Sequence, residues 1–529
     1  MISRREGLKS AVAAPMLLAA PRLAVAQQRE LTLGLGATMT SMDPLFYNSN
    51  PDFNVALNIY DRLIMQDERQ RLQPALVTAW KTLDDNTWEL TLRRGVRFHD
   101  GSSFGAEDVM ASIRRVSWVP NSIGPLTVYT RAIIEMIAVD EHTLRLKTAA
   151  PHPLMPIDLS MISVISRRHE QAPTAEFNSG RAAIGTGPFK QVSYAQGDRI
   201  LLARNDDYWG DRPQWQKVTL RLMPNGPVRL AALLAGDIDA MDILPPTDLG
   251  TLRNNANVTV ARTQSNAVLF LHLDSFRDQT PFATDKSGTV LSRNPLKDVR
   301  VRRAISKAVN RQAICERVME GAATPAGFIL AGGFFGVSSR LKPDDYDPEG
   351  ARKLLAEAGY PDGFALTVHG PRDRFINDEK VLQAVGQMLV RIGIDTKVVV
   401  QPWQVFATQA STPNYAYSVM LVANYATTGE ASFPLRAQVA TVDPQKGMGA
   451  QNRARYSNPR IDALLARAMT TIDDAKREAL LFEATETAMA DQANIPLFAP
   501  DNLSALRKGL QFVARADGLM AAQMVKLVG

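Results

Sequence analysis

Ala267-Val-Leu-Phe-Leu-His-Leu273 is an almost unbroken apolar run of strand length. It reads as a strand buried on both faces rather than as one that alternates inside and out. Working outward, Val299 to Met319 carries the spacing of a long helix, with Ile305, Val309 and Val318 on its apolar side. Asp347 to Ala358 is a second helix, ended by Gly359 and Pro361, and Asn377 to Ile392 is a third, stopped by Gly393. Lys397-Val-Val-Val400 is a further strand, and two late helices fit Asn458 to Met469 and Asp473 to Asp491. Upstream, Leu31 to Gly36 opens as an alternating strand, and Asp52 to Leu63 has a helical pattern. Thr87 to Arg93 alternates, with Trp88, Leu90 and Leu92 on one face. Glu107 to Val116 is a helix with Gly105 at its N-cap, and Val228 to Ala235 is one stopped by Gly236. Strands and helices mix throughout, so the fold class is α/β.

The 529 residues exceed what one hydrophobic core ordinarily supports, which calls for at least two lobes. Composition is that of a globular protein, 45% apolar and 22% charged. The first 26 residues place Arg4-Arg5 ahead of the mildly apolar stretch Ala11 to Ala20 and end in Ala24-Val-Ala26. That is the pattern of a cleaved secretory signal, and the arginine pair points to the twin-arginine route. A soluble, exported, periplasmic chain beginning at Gln27 is therefore expected. Of the formal charge of +6, the signal carries +3 (Arg4, Arg5, Lys9 and Arg22 against Glu6), which leaves +3 on the mature chain. So small and dispersed a charge excludes a nucleic-acid footprint. Cys315 is the only cysteine, so no internal disulfide forms, and its helical surroundings read as core.

Motifs of catalysis are missing. There is no nucleophile elbow and no phosphate loop, and Gly34-Leu-Gly36 and Gly185-Thr-Gly187 lack the third glycine of a dinucleotide fingerprint. The six histidines are scattered, and His169-Glu170 has Pro173 where a zinc motif needs its second histidine. No catalytic residue, metal site or cofactor is expected.

Several segments line up in one order. Pro74-Ala-Leu-Val-Thr-Ala-Trp80 precedes Trp88-Glu-Leu-Thr-Leu-Arg-Arg-Gly-Val-Arg-Phe-His-Asp-Gly101 and then Ala106-Glu-Asp-Val109. Gly185-Thr-Gly-Pro-Phe-Lys190, Asn205-Asp-Asp-Tyr-Trp209 and Leu234-Ala-Gly-Asp-Ile-Asp239 follow. Val299 to Arg311, Tyr346 to Tyr360 and Tyr456-Ser-Asn-Pro-Arg-Ile-Asp-Ala-Leu-Leu465 complete the series. The series resembles the extracytoplasmic solute-binding proteins of peptide- and nickel-type ABC importers (bacterial solute-binding protein family 5), over nearly the whole mature chain.

The resemblance implies a two-lobed periplasmic binding protein fold (type II, cluster C-like) with an extra inserted subdomain in the larger lobe. On that reading residues 27–272 and 498–529 form the larger lobe, with the insert at about 50–185, and residues 273–497 form the second. The chain crosses near Leu273 and returns near Leu497, and the lobes close on a ligand by hinge motion. The expected protein is a monomer that captures a peptide-like or small polar solute between its lobes and hands it to a membrane permease. A secreted hydrolase and a periplasmic peptide-binding chaperone are the alternatives.

Three stretches fall where such an architecture lines its cleft: Met39-Thr40-Ser41, Arg372 to Phe375, and Asn424 to Ser432. Dipeptide binders of the family carry Gly-Trp and then an aspartate that holds the ligand's ammonium. Here Ala423-Asn424 replaces Gly-Trp and Thr427 stands at the aspartate position. A threonine cannot neutralise an ammonium, which leaves Glu430 as the candidate, with Tyr425 beside it. Arg374 or Arg436 is expected to pair with an anionic end of the ligand.

Overall fold

The computed structural model describes residues 29–528. The expected signal segment, residues 1–26, lies outside them.

Ala267–Leu273 is a strand, and its residues divide between two cores. Leu269, Leu271 and Leu273 enter one hydrophobic cluster, while Phe270 enters another on the opposite face. Burying each such side chain stabilises the fold by about 1.5–3 kcal/mol. The strand lies between two antiparallel neighbours, Val419–Tyr425 and Ile495–Arg507. Val419–Tyr425 runs parallel to Phe364–Pro371, which in turn pairs in parallel with Ile394–Gln401. The helix Asp378–Val390 joins those last two strands.

A second group of strands forms the other half. Glu30–Leu35 lies parallel to both Lys217–Leu222 and Ala240–Met241, and the helix Gly226–Ala235 connects these two. This group has its own core, built on Leu31, Leu33, Phe189, Val218 and Leu220. The strand Ile495–Arg507 belongs to both halves. Its first part pairs with Ala267–Leu273, and Asp501 onward pairs with Val258–Gln264. The two halves are therefore joined at two adjacent points, Ser265-Asn266 and Pro500-Asp501. Both lie a few residues away from the crossings expected at Leu273 and Leu497, because strand pairing changes partner there.

A separate four-stranded sheet, with Thr87–Leu92 and Thr143–Thr148 at its centre, carries a third core of Trp88, Leu90, Leu144 and Leu146. The short hairpin Ile64–Gln66 and Leu72–Pro74 projects beside it. Gly187 closes this region against the larger lobe. Its N–H donates to the Ile59 carbonyl at 2.9 Å, and a Cβ at Gly187 would lie 2.6 Å from that oxygen. Tyr208 and Trp209 point inward to a buried carboxylate, Asp61, at 3.0 and 2.7 Å.

Most helices follow their expected caps. Asp347, Asn458 and Asp473 each accept a first-turn N–H, and Gly236 ends its helix at φ 86°. Two helices differ. The single helix expected over Val299 to Met319 is broken. Val299–Ala308 stops at the extended Val309, Asn310 caps a new turn, and Ile314–Val318 is a π-turn. The buried Arg311 guanidinium explains the break, since it bonds Pro496 O at 2.7 Å and Ser306 O at 3.0 Å across the joint. The first helix, Asn50–Ile59, begins and ends earlier than expected because Ser49 caps it and Tyr60 is already extended.

Candidate functional site

Both crossings open onto one cavity of about 210 Å³. Leu35 and Asp242 line it from the larger lobe, Phe375 and Tyr425 from the second, and Asn266 and Asp501 from the straps. Its walls hold exposed apolar groups: Ile243, Ile376 and Tyr425 are 49%, 39% and 44% exposed. Large side chains left open in a concavity mark a place where a partner covers them.

The carboxylates of this cavity are engaged. Asp242 Oδ1 accepts from Gly36 N at 2.6 Å, and burial pushes its carboxyl up to about 6. Asp501 is paired with Arg262, and Asp517 with Arg515 at 2.6 Å. Tyr425 ends its strand opposite Ala267.

Beyond Tyr425 the loop Ala426 to Glu430 separates two further cavities. One, of about 640 Å³, lies between Trp80 and Trp88 of the inserted subdomain and Phe334 and Phe335 of the second lobe. The other, of about 330 Å³, lies between Tyr129 and Asp158 on one side and Thr427 and Arg436 on the other. Thr428 and Glu430 border both. The loop is fastened from the opposite lobe by Gln70, whose Nε2 donates to Thr427 O at 2.7 Å. Gln70 Oε1 accepts from Asn266 Nδ2 at 2.9 Å, which ties the same side chain to a strap.

The sequence-derived candidates divide accordingly. Tyr425, Thr427, Glu430 and Arg436 border these cavities. Glu430 is buried, however, and already pairs with Arg477 at 2.5 Å while accepting from Ser432 Oγ. Asn424 is buried and donates to Ile329 O at 3.0 Å, a scaffold contact. Arg374 stacks over Trp403, 5.0 Å from the ring centre, and it is the neighbouring Phe375 and Ile376 that line the cavity. Met39 packs in the core of the larger lobe. Thr40 bonds Asp52, and Ser41 bonds both Asp52 and Asn178, so these residues hold the entry to the first helix. On that side the cleft wall is formed by Leu35 and Ala37.

Sequence reasoning missed Gln70, Tyr129, Asp158 and the strap residues. Their convergence joins positions hundreds of residues apart, and nothing local in the sequence marks it. Among the described residues no group of three or more His, Cys, Asp or Glu is placed to hold a metal ion, and no helix is long and apolar enough to cross a membrane.

Two lobes on paired straps, with cavities between them, are the architecture of a solute-binding protein. Comparison with known proteins agrees. The family described as bacterial extracellular solute-binding proteins, family 5, matches residues 71–444, and the chain belongs to it. It is the solute-binding component of an ABC importer. The glutathione-binding protein GsiB of Salmonella choleraesuis is 28% identical over 95% of this chain and 94% of its own. HbpA2 of Haemophilus parasuis has a similar fold, with a TM-score of 0.81 at 22% identity over 94% of this chain and all (100%) of that one. The periplasmic binding protein DppA of Helicobacter pylori, in complex with the peptide STSA, gives 0.72 at 24% identity over 94% and 98%.

Proposed function

We propose that this protein captures a peptide-like or small polar solute outside the cytoplasmic membrane, leaves it chemically intact, and delivers it to an ABC permease. The observation that carries the reading is a set of cavities walled by both lobes, one at the straps that reaches Tyr425 and two that share the Ala426 to Glu430 loop. A relative named as glutathione-binding and a similarly folded protein holding a tetrapeptide support a solute with peptide bonds. The departure at Thr427 argues against recognition of a free α-ammonium in the manner of dipeptide binders, since the site carries no free carboxylate there. Tyr425, Thr427, Glu430 and Arg436 are the proposed contact residues of the loop side. The larger lobe of this reading runs to the strap at Ser265-Asn266 and resumes after Pro500-Asp501, with the inserted subdomain at about 50–185. Export by a cleaved signal and a monomeric state belong to the same proposal.

Calorimetric titration with glutathione and a panel of di- to pentapeptides tests it. Saturable one-to-one binding of one chemical class, with the solute recovered unchanged, is the expected result. Turnover of the solute, or indiscriminate weak binding of all peptides, would overturn it in favour of a hydrolase or a chaperone.

A further inference from the structure

The roughly 330 Å³ cavity beside the loop has an uneven supply of partners. Its two carboxylates are already engaged: Asp158 Oδ2 lies 2.7 Å from His152 Nε2, and Glu430 Oε2 lies 2.5 Å from Arg477 Nη1. Its donors are not. Thr428 Oγ1 is buried with no hydrogen-bond partner. Arg436 is half-buried on the wall, and among the described residues its guanidinium meets neither a carboxylate within ion-pair distance nor a hydrogen-bond acceptor.

Six other deeply placed arginines are engaged, whereas Arg62 and Arg453, like Arg436, meet no carboxylate within ion-pair distance among the described residues. Arg115 pairs with Asp43, Arg477 with Glu430 and Arg515 with Asp517, while Arg229, Arg302 and Arg311 bond several carbonyls each. A guanidinium brought part-way out of water is costly unless it finds an anion. Burial pulls Arg436 below the usual guanidinium range, with the charge of Asp158 opposing and that of Arg131 adding to the shift.

We infer that Arg436, with Thr428 beside it, receives a carboxylate of the transported solute, so that the solute is a peptide-like acid or zwitterion whose anionic end enters this cavity. A guanidinium offers two parallel N–H donors to a carboxylate, and the Thr428 hydroxyl is a third donor for the same group. The opposite wall, with Tyr129 and Asp158, comes from the inserted subdomain, so the bound carboxylate sits where the two lobes meet. The inference rests on the solute-receptor reading above.

The test compares wild type, R436M and R436K, titrated with two matched pairs: glutathione and its diethyl ester, and trialanine and its C-terminal amide. Wild type is expected to prefer the acid of at least one pair by tenfold or more. R436M loses that preference, and R436K recovers part of it. Without solute, R436M melts no lower than wild type, because it breaks no internal ion pair. Equal binding of acid and neutral partner by wild type, or an unchanged preference in R436M, would overturn the role of Arg436 and leave the receptor reading intact. A markedly lower melting temperature for solute-free R436M would also overturn it, since the side chain would then be structural. Failure of wild type to bind any of the four probes or any solute from its own cell envelope would remove the receptor reading and this inference together.

Discussion

Gln70 reaches across the cleft and donates a 2.7 Å hydrogen bond to the main-chain carbonyl of Thr427. One residue from the inserted subdomain thereby fastens the loop at which the cavities of the second lobe meet. The backbone of Gln70 is left-handed, at φ 59°, which aims its side chain at that loop. The structure is therefore held with its lobes in contact at this end.

Removing the fastening loosens closure. Gln70→Ala removes the donor to the Thr427 carbonyl and one of the two acceptors of the Asn266 amide, and a hydrogen bond contributes about 0.5–1.5 kcal/mol. The variant is expected to show a larger radius of gyration in solution scattering and several-fold weaker solute binding. An unchanged radius and affinity would show that Gln70 has no part in closure.

Gly429 supports the same contact. Its φ is 67°, and a Cβ there would lie 2.7 Å from Gln70 Cβ. Gly429→Ala is expected to cost about 1–2 kcal/mol in urea unfolding, the penalty of a left-handed residue, and to weaken solute binding through the displaced loop.

The buried pair of Glu430 and Arg477 is a structural device as well as a cavity wall. Arg477→Met strands a buried carboxylate and is expected to destabilise the protein by about 3–5 kcal/mol. Adding Glu430→Gln should recover most of the loss, because the stranded charge is gone. Denaturant melts of the two single variants and the double variant read the coupling directly.

Asp242 makes stability depend on pH in an unusual sense. Its folded carboxyl titrates at about 6, against about 3.9 in an unfolded chain. Between those values the folded protein keeps a proton that the unfolded chain has released, so this group's contribution falls as pH rises through the window and is constant above it. The full swing is about 3 kcal/mol, of which about 2 kcal/mol falls between pH 4.5 and pH 7, and Asp242→Asn should remove that difference from a comparison of melts at the two pH values.

Cys315 is buried, and desolvation pushes its thiol up to about 12. It is expected to resist a thiol reagent at pH 8 in the native protein and to react at once in urea.

Much of the framework was legible in the residues because its causes are local. Asp347, Asn458 and Asp473 announce helix starts, Gly236 announces a stop, and the apolar run Ala267 to Leu273 announces a strand covered on both sides. The broken helix after Ala308 was not legible. Its cause is the Arg311 guanidinium bonding to Pro496, a contact between distant parts of the chain. The site was half legible for the same reason. The loop from Tyr425 to Glu430 could be located from the order of motifs, whereas its partners Gln70, Tyr129 and Asp158 reach it only through the fold. Nor could sequence reveal that Glu430 is neutralised by Arg477 while Arg436 is left free of an internal partner.

The central claim is that the hollow between the lobes exists to hold a solute. Native mass spectrometry of the protein, purified gently from the envelope of its own cells, tests that claim most directly. The account predicts a one-to-one complex with a small acidic or zwitterionic molecule, released intact on denaturation. Protein that carries no such molecule, and takes up none from a concentrated envelope extract, would contradict it.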